Sequence, residues 1–435
     1  MGKDDLKSFQ NSLQYAKKLD KNDPLRKFKA AFYQPKIKGK TPVYFCGNSL
    51  GLQPKKAKGY IEQEVKDWAR LAVEGHFSAT HPWAEYHKMF SKPLSKLAGA
   101  KPEEVAAMNT LSVNLHMLFA SFYQPQGERT KIITVKGNFS SDRYIILSQI
   151  KWHGLDVNSN LIEVPPRDGQ QLVDEDDLIA AIEEHRTSVT LVFLDGVNYY
   201  TGQVFDMHRI ASAAHKAGAK VGFDLAHAIG NVPLKLHDWN VDFAAWCSYK
   251  YLNSGPGAVG GIFVHEKYAK DKDLVRLAGW WGNDESDRFM MKPEFNPSEG
   301  AAGWHVSNAP IMNMAAHKAS LEVFEEAGVK NLFQKGRMLT SYLEYLINQK
   351  CREVKKSKYN IKIITPSEAE RRGAQLSIHV EENGKELFKY LVKHGFLIDF
   401  RNPSVVRVTP VPLYNSFEEV YLFADRLSKV AALTL

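Results

Sequence analysis

The chain has 435 residues, 44% hydrophobic, 24% charged and 11% aromatic, with a formal net charge of +8. That hydrophobic content supports one large core and a second, smaller one. Three cysteines, Cys46, Cys247 and Cys351, exclude a disulfide framework and point to a reducing compartment.

The opening "MGKDDLKSFQ" has no apolar signal core, and no apolar run approaches the ~20 residues of a membrane span. The glycine at position 2 lacks the Ser or Thr that a myristoylation signal requires. We therefore expect a soluble, cytoplasmic protein that engages no membrane. The basic residues are scattered rather than striped. Their densest run, "CREVKKSKYNIK" (351–362), reads as a solvated loop, so no nucleic-acid partner is expected.

In chain order, helical spacing runs from about Asp4 to Phe32 and breaks at "DPLRKF". A polar segment then leads into "VYFCGNSLG". Beyond it, "KIITV" (131–135), "TLVFLDGV" (190–197), "KVGFDLA" (220–226), "FAAWCS" (243–248) and "GGIFVHE" (260–266) are short and continuously apolar. Strands covered on both faces have that pattern. Helical patterns such as "DMHRIASAAHKAG" (206–218) lie between them, the last closing on a glycine. The repetition predicts an α/β fold with a mainly parallel, doubly wound sheet. After about residue 305 the rhythm changes to two long helices, alternating strands, a helix at "GKELFKYLVKHG" and a final helix from Ser416. This predicts a smaller α+β domain. The division expected is an N-terminal helical segment packing with the small domain (1–45), a large domain (46–304) and the small domain (305–435).

Lys250 stands in "CSYKYLNSGPGAVGG" with apolar and aromatic neighbours. An amine that attacks an aldehyde needs a lowered pKa, which desolvation supplies. Such a lysine, with an acidic partner for a ring nitrogen, is the signature of pyridoxal phosphate. A lysine snorkelling from a strand end gives the same local pattern. Asp224 shifts the balance. It ends the preceding predicted strand, and ligands in open α/β sheets gather outside the carboxyl ends of strands. His227, three residues on, is placed to orient that carboxylate, although Asp224 would also serve as a helix N-cap. "MNTLSVNLHMLF" predicts a helix starting near Leu111, where the N–H groups of Leu111 and Ser112 and the Ser112 hydroxyl would meet a phosphate. Tyr200 and Tyr249 are further donors, Phe139 offers a face for a flat ring, and Asp142 a second carboxylate.

These residues bring out a likeness. "FDLAHAIGNVPLKLHDWNVDFAAWCSYKYLNSGPG" resembles the core signature of the kynureninase family, fold-type-I, class V pyridoxal-phosphate enzymes. The resemblance extends through "YFCGNSLGLQP", "MNTLSVNLH", "NYYTGQVFD", "HVSNAPI" and "RVTPVPLYNS", nearly the whole chain. It implies that Lys250 holds pyridoxal 5′-phosphate as a Schiff base and that Asp224 pairs with its ring nitrogen. Phe139 would stack on the ring, and Asp142 would assist below it. Leu111, Ser112, Tyr200 and Tyr249 correspond to the phosphate seat, and Ser140, Ser141, Asp195 and His227 also line the cofactor. Trp280 and Asn308 correspond to residues that complete the site across a homodimer interface. Arg407 corresponds to the guanidinium that clamps the substrate carboxylate, a task that suits a planar fork. Ser49, His76, Ser307 and Asn308 correspond to other substrate contacts, and no residues are read as a metal site.

The implied reaction is hydrolytic Cβ–Cγ cleavage of L-kynurenine or its 3-hydroxy form to L-alanine and anthranilate or 3-hydroxyanthranilate, in tryptophan catabolism and NAD biosynthesis. Lys250 would be the catalytic base and Tyr249 would carry a proton at the β-carbon. The chain departs from the family pattern at Trp304 and His305, at Asp195 and at "NSGPG", which bears on ring selectivity and on interface detail. A cysteine desulfurase would need a mobile, nucleophilic cysteine, and none of the three fits. A nucleic-acid-binding relative with lost chemistry would not keep Asp224, His227, Tyr249 and Lys250 together.

Overall fold

The computed structural model describes residues 9–352 and 359–431. Leu6 of the N-terminal pattern and half of the basic run at 351–362 lie outside them. The described residues form two compact units, one of 56–199 and 205–321, the other of 9–55, 200–204 and 322–431.

The larger unit is built on a seven-stranded sheet. Its strands lie in the order Val105–Ala107, Gly260–Val264, Phe243–Cys247, Lys220–Asp224, Val189–Asp195, Lys131–Val135 and Leu161–Val164. The last five are mutually parallel, and Gly260–Val264 runs antiparallel to both of its neighbours. All five apolar runs read from the sequence are strands of this sheet. The two it did not reveal, Val105–Ala107 and Leu161–Val164, are short. The helices Leu111–Phe122, Ser140–Trp152 and Met207–Lys216 follow strands, and Gly218 ends the third with a φ of 73°. The core beneath is largely aromatic. Phe119 meets Phe193 edge to face at 4.9 Å, while Phe122 stacks on Phe243 at 4.8 Å.

The smaller unit has a four-stranded antiparallel sheet, in the order Asp399–Arg401, Val405–Val408, Leu376–Val380 and Ile361–Ile363. The helices Val329–Arg352, Gly384–Lys393 and Phe417–Ala431 accompany it. The N-terminal periodicity resolves into a shorter helix, Leu13–Lys21, whose Ser12 cap accepts the Tyr15 N–H, followed by a 3₁₀ segment at Arg26–Ala31. "NDP" breaks it because proline cannot donate the bond that a continued helix needs. Asp20 in turn accepts the N–H groups of Phe417 and Glu418 at 2.8 and 2.9 Å, capping the last helix. No helix among the described residues is long and apolar enough to cross a membrane.

Candidate active site

The carboxyl ends of the parallel strands in the larger unit open into a pocket of about 180 Å³. Asp195 and Asp224 end adjacent strands and are direct register partners, so the sheet itself sets the two carboxylates side by side. The next strand ends at Cys247, and the chain turns there to bring Lys250 to the same wall. Thr110, Leu111 and Ser112, at the start of the helix after Val105–Ala107, form another wall, with Phe139 and Ser141 beside them. Gly260 makes this approach possible, because a Cβ there would lie 2.7 Å from the Trp246 carbonyl oxygen and 3.4 Å from the Leu111 nitrogen.

Lys250 is 9% exposed, and its Nζ lies 3.0 Å from His227 Nε2. The same ammonium sits 5.8 Å from the centre of the Phe139 ring and 5.9 Å from that of Tyr249. His227 therefore meets the lysine directly, in addition to following Asp224 in the chain. Asp224 accepts the Ala226 N–H at 2.7 Å, which fixes the turn after its strand. Asp195 accepts from Asn198 at 3.0 Å. With the Asn138 amide oxygen turned to the Thr134 hydroxyl, its nitrogen reaches Asp195 at 3.1 Å.

The electrostatics of this wall are unusual. Burial, then the neighbouring Asp224 and Asp195, hold the Asp142 carboxyl well above the ordinary carboxylate range. Burial and the nearby Asp224 push Asp195 up to about 7. Burial also raises Asp224, against the pull of Lys250. Tyr249 is raised by burial and by Cys247 beside it. Among the described residues no N–H or hydroxyl donor meets either oxygen of Asp142. Three buried carboxyls beside one lysine cannot all ionise without a further positive partner, which is why their pKa values are raised. A flat cationic ring with an N–H donor fits that wall. A dianion fits the opposite end, where the first-turn N–H groups of the helix from Leu111 have no intrahelical acceptor and the Ser112 and Ser141 hydroxyls lie 2.9 Å apart.

The lining thus brings together Leu111, Ser112, Phe139, Ser141, Asp195, Asp224, His227, Tyr249 and Lys250. Asp142 is buried in the same wall, and Ser140 is exposed at the start of its helix. His76, Trp280, Ser307 and Asn308 belong to the larger unit but do not line this pocket. Trp280 is 48% exposed, its indole donating to the Arg288 carbonyl at 2.9 Å, and Ser307 and Asn308 are exposed. The departures at Trp304 and His305 fall in the interior. Trp304 donates to Ser121 at 2.9 Å, and burial lowers the pKa of His305.

Tyr200, Ser49 and Arg407 belong to the smaller unit. There the Tyr200 carbonyl accepts from Ser377 at 2.6 Å. Arg407, 1% exposed in the strand Val405–Val408, donates to Asp399 at 2.6 Å and to Ser49 at 3.2 Å. Ser49 also donates to Asp399, at 2.5 Å. Burial works against the Asp399 carboxylate, but Arg407, Ser49 and Arg401 together hold it below its ordinary range. A surface salt bridge is thereby ruled out for Arg407, since the guanidinium is buried and its partner is mostly covered. Sequence reasoning missed Asp399, Asn138 and Asn198, which position named site residues. An acid in "LIDFRN", two residues before the strand turns back, was the signal for Asp399.

Cys247 is buried, and burial with Asp399 nearby pushes the Cys46 thiol up to about 12, so neither is poised as a thiolate. The Cys351 side chain lies outside the described residues. Glu104, His237 and His265 cluster closely enough to hold a metal ion. Their ligand atoms already take the Lys101, Glu266 and Lys267 N–H groups at 2.8, 2.8 and 3.2 Å, and His237 meets Glu104 at 2.9 Å.

Residues 332–427 match the family model of the kynureninase C-terminal domain. Over its length the chain is 51% identical to a kynureninase of Flavobacterium johnsoniae, covering 97% of this chain and 99% of that one. It is 48% identical to that of Myxococcus xanthus (96% and 97%) and 45% identical to that of Nematostella vectensis (96% and 93%). In fold it is similar to the apo cysteine desulfurase of Thermococcus onnurineus NA1, with a TM-score of 0.73, 16% identity and coverage of 90% and 94%. A variant of C-DES, solved with glycine covalently linked to its PLP cofactor, gives 0.74, 16%, 89% and 96%.

Proposed function

The chain belongs to the kynureninase family, and from that premise we propose how its residues carry out the family's reaction. It cleaves the Cβ–Cγ bond of L-kynurenine or 3-hydroxy-L-kynurenine with water, releasing L-alanine and anthranilate or 3-hydroxyanthranilate. The observation that carries this reading is the pair of buried carboxyls Asp195 and Asp224 at the ends of parallel strands, with Asp142 buried in the adjoining helix and Lys250 and His227 on the same pocket.

Pyridoxal 5′-phosphate, when bound, supplies the electron sink that makes the bonds at the α-carbon and then at the β-carbon labile. Asp224, with Asp142 and Asp195 near it, would pair with the ring nitrogen and keep it protonated. Phe139 covers the ring face, as its 5.8 Å approach to the Lys250 ammonium allows. Leu111 and Ser112 hold the phosphate with their backbone N–H groups, together with Ser141, Ser140, Tyr200 and Tyr249. Lys250 would hold the cofactor, and its free amine would take the α-proton. His227, within hydrogen-bonding reach of that amine, orients it. Tyr249, which burial keeps protonated at neutral pH, delivers a proton at the β-carbon. Arg407 receives the substrate α-carboxylate, and Asp399 and Ser49 keep its fork oriented for that contact. His76 and Ser307 contact the aryl ring.

Trp280 and Asn308 act in the site of a second copy of the chain, so the working form is a homodimer in the cytoplasm. Their exposure, and their absence from the lining of the pocket that holds Lys250, support this.

The test is direct. The protein supplied with pyridoxal phosphate and L-kynurenine is expected to form L-alanine and fluorescent anthranilate in equal amounts. Lys250→Ala is expected to form neither and to lose the visible absorbance of the tethered cofactor. Wild-type turnover in that variant would remove Lys250 from the chemistry.

A further inference from the structure

Residues 75–86, which carry His76, are held by the helix Lys56–Leu71 through two buried carboxylates. Glu64 and Asp67, three residues apart on one helix face, are each 1% exposed. Asp67 accepts the Thr80 N–H at 3.0 Å as well as Gln63 and Arg70 at 3.1 and 2.9 Å. Glu64 accepts the Trp83 indole N–H at 2.9 Å and the Tyr86 hydroxyl at 3.1 Å. His81 Nδ1 lies 3.6 Å from the same carboxylate. The Trp83 ring then stands edge-on to the His76 ring, with centroids 5.5 Å apart at 86°. Two backbone bonds close the segment, from Trp83 to Gly75 at 3.3 Å and from Ala84 to His76 at 3.1 Å. Gly75 leaves room for the indole, since a Cβ there would lie 2.4 Å from it.

We propose that Glu64 is a positioning residue for recognition of the substrate's aryl ring, acting through Trp83 on His76. The inference rests on the reading of His76 as an aryl contact given above. Glu64 cannot turn away without giving up the indole N–H and leaving a buried phenol O–H unpaired, so the indole is held and the imidazole rests against a fixed surface. The two substrates differ by one ring hydroxyl, and a site discriminates strongly on a hydroxyl only when its own polar groups are held in place. A carboxylate that fixes the side chain next to the contact therefore bears on selectivity without touching substrate.

The test compares Glu64→Gln, Trp83→Phe and His76→Ala in the cofactor-loaded enzyme. KM and kcat are measured for kynurenine and 3-hydroxykynurenine, and L-alanine affinity is followed through the cofactor's absorbance. Trp83→Phe removes the indole donor and shrinks the ring that meets His76, and it decides the matter if Glu64→Gln does not fold. Either positioning variant is expected to raise the aryl-substrate KM about five-fold, the loss of one hydrogen bond. Its selectivity ratio should shift in the direction of that of His76→Ala, with kcat and L-alanine affinity unchanged. A normal KM in both positioning variants beside a raised one in His76→Ala overturns the proposal. Equal loss of L-alanine affinity also overturns it, because that marks general damage. A normal KM in His76→Ala overturns the reading of His76, and the proposal with it, while leaving Lys250 and the reaction untouched.

Discussion

Asp195 shows how a single residue couples the site to pH. In the folded chain it keeps a proton up to about pH 7, whereas an unfolded aspartate loses it near pH 4. The folded state binds more protons across that window, so this residue's contribution to stability falls as pH rises from about 4 to 7. Asp142 and Asp224 are shifted in the same direction by the same burial. Asp195→Asn removes one such penalty while keeping an acceptor for Asn198. In the cofactor-free protein it is expected to stabilise by roughly 2–4 kcal/mol at pH 8 and far less at pH 5. Thermal melts at the two pH values check this, and an equal gain at both would contradict the assignment. Asp399 has the opposite sense, since Arg407 at 2.6 Å holds its carboxyl below the ordinary range against the effect of burial.

At the scale of elements, the strand Lys220–Asp224 has to lie close against its neighbour for Asp224 to reach the pocket. Gly222 is the register partner of Phe243, and a Cβ on it would fall 2.2 Å from that ring. The ring cannot yield, because it stacks on Phe122 at 4.8 Å and lies parallel to Phe193 at 6.2 Å. Gly222→Ala is therefore expected to destabilise by about 1–3 kcal/mol through overpacking. It should also weaken cofactor retention, since the displaced strand carries Asp224. A calorimetric melt with an absorbance titration of the cofactor would show both effects. Normal values for both would mean that the sheet gives more easily than its packing implies.

For the whole molecule, the question is whether one chain completes its own site. The larger unit exposes Trp68, Val73, Phe77, Trp280, Phe289, Met290 and Met291, all of them more than 45% accessible. Of these, Trp280 and Phe289 meet edge to face at 5.5 Å beside Met290 and Met291 in the chain. If Asn308 serves the partner's site, a mixture of Lys250→Ala and Asn308→Ala chains regains activity, because each mixed dimer keeps one intact site. Random pairing would restore about a quarter of wild-type activity, and a monomeric site none. Refolding the two variants together and assaying anthranilate release distinguishes these outcomes.

The five apolar runs of the large sheet were legible because a strand buried on both faces leaves no polar alternation, and that pattern survives in one dimension. Lys250, Asp224 and the helix start at Leu111 were legible for a related reason, since each sits where a periodic element begins or ends. The short strands Val105–Ala107 and Leu161–Val164 were not, being too brief to show a period. Nor were the hydrogen bonds of Asn138, Asn198, Asp399 and Glu64, which join residues to partners that their own local sequence does not specify. The order of amino acids thus determined the architecture and the family. Only the tertiary structure decided that His227 meets Lys250, that three carboxyls lie together and that the buried Arg407 is paired with Asp399. Those facts depend on register across strands and on burial, and both are set by contacts between segments far apart in the chain.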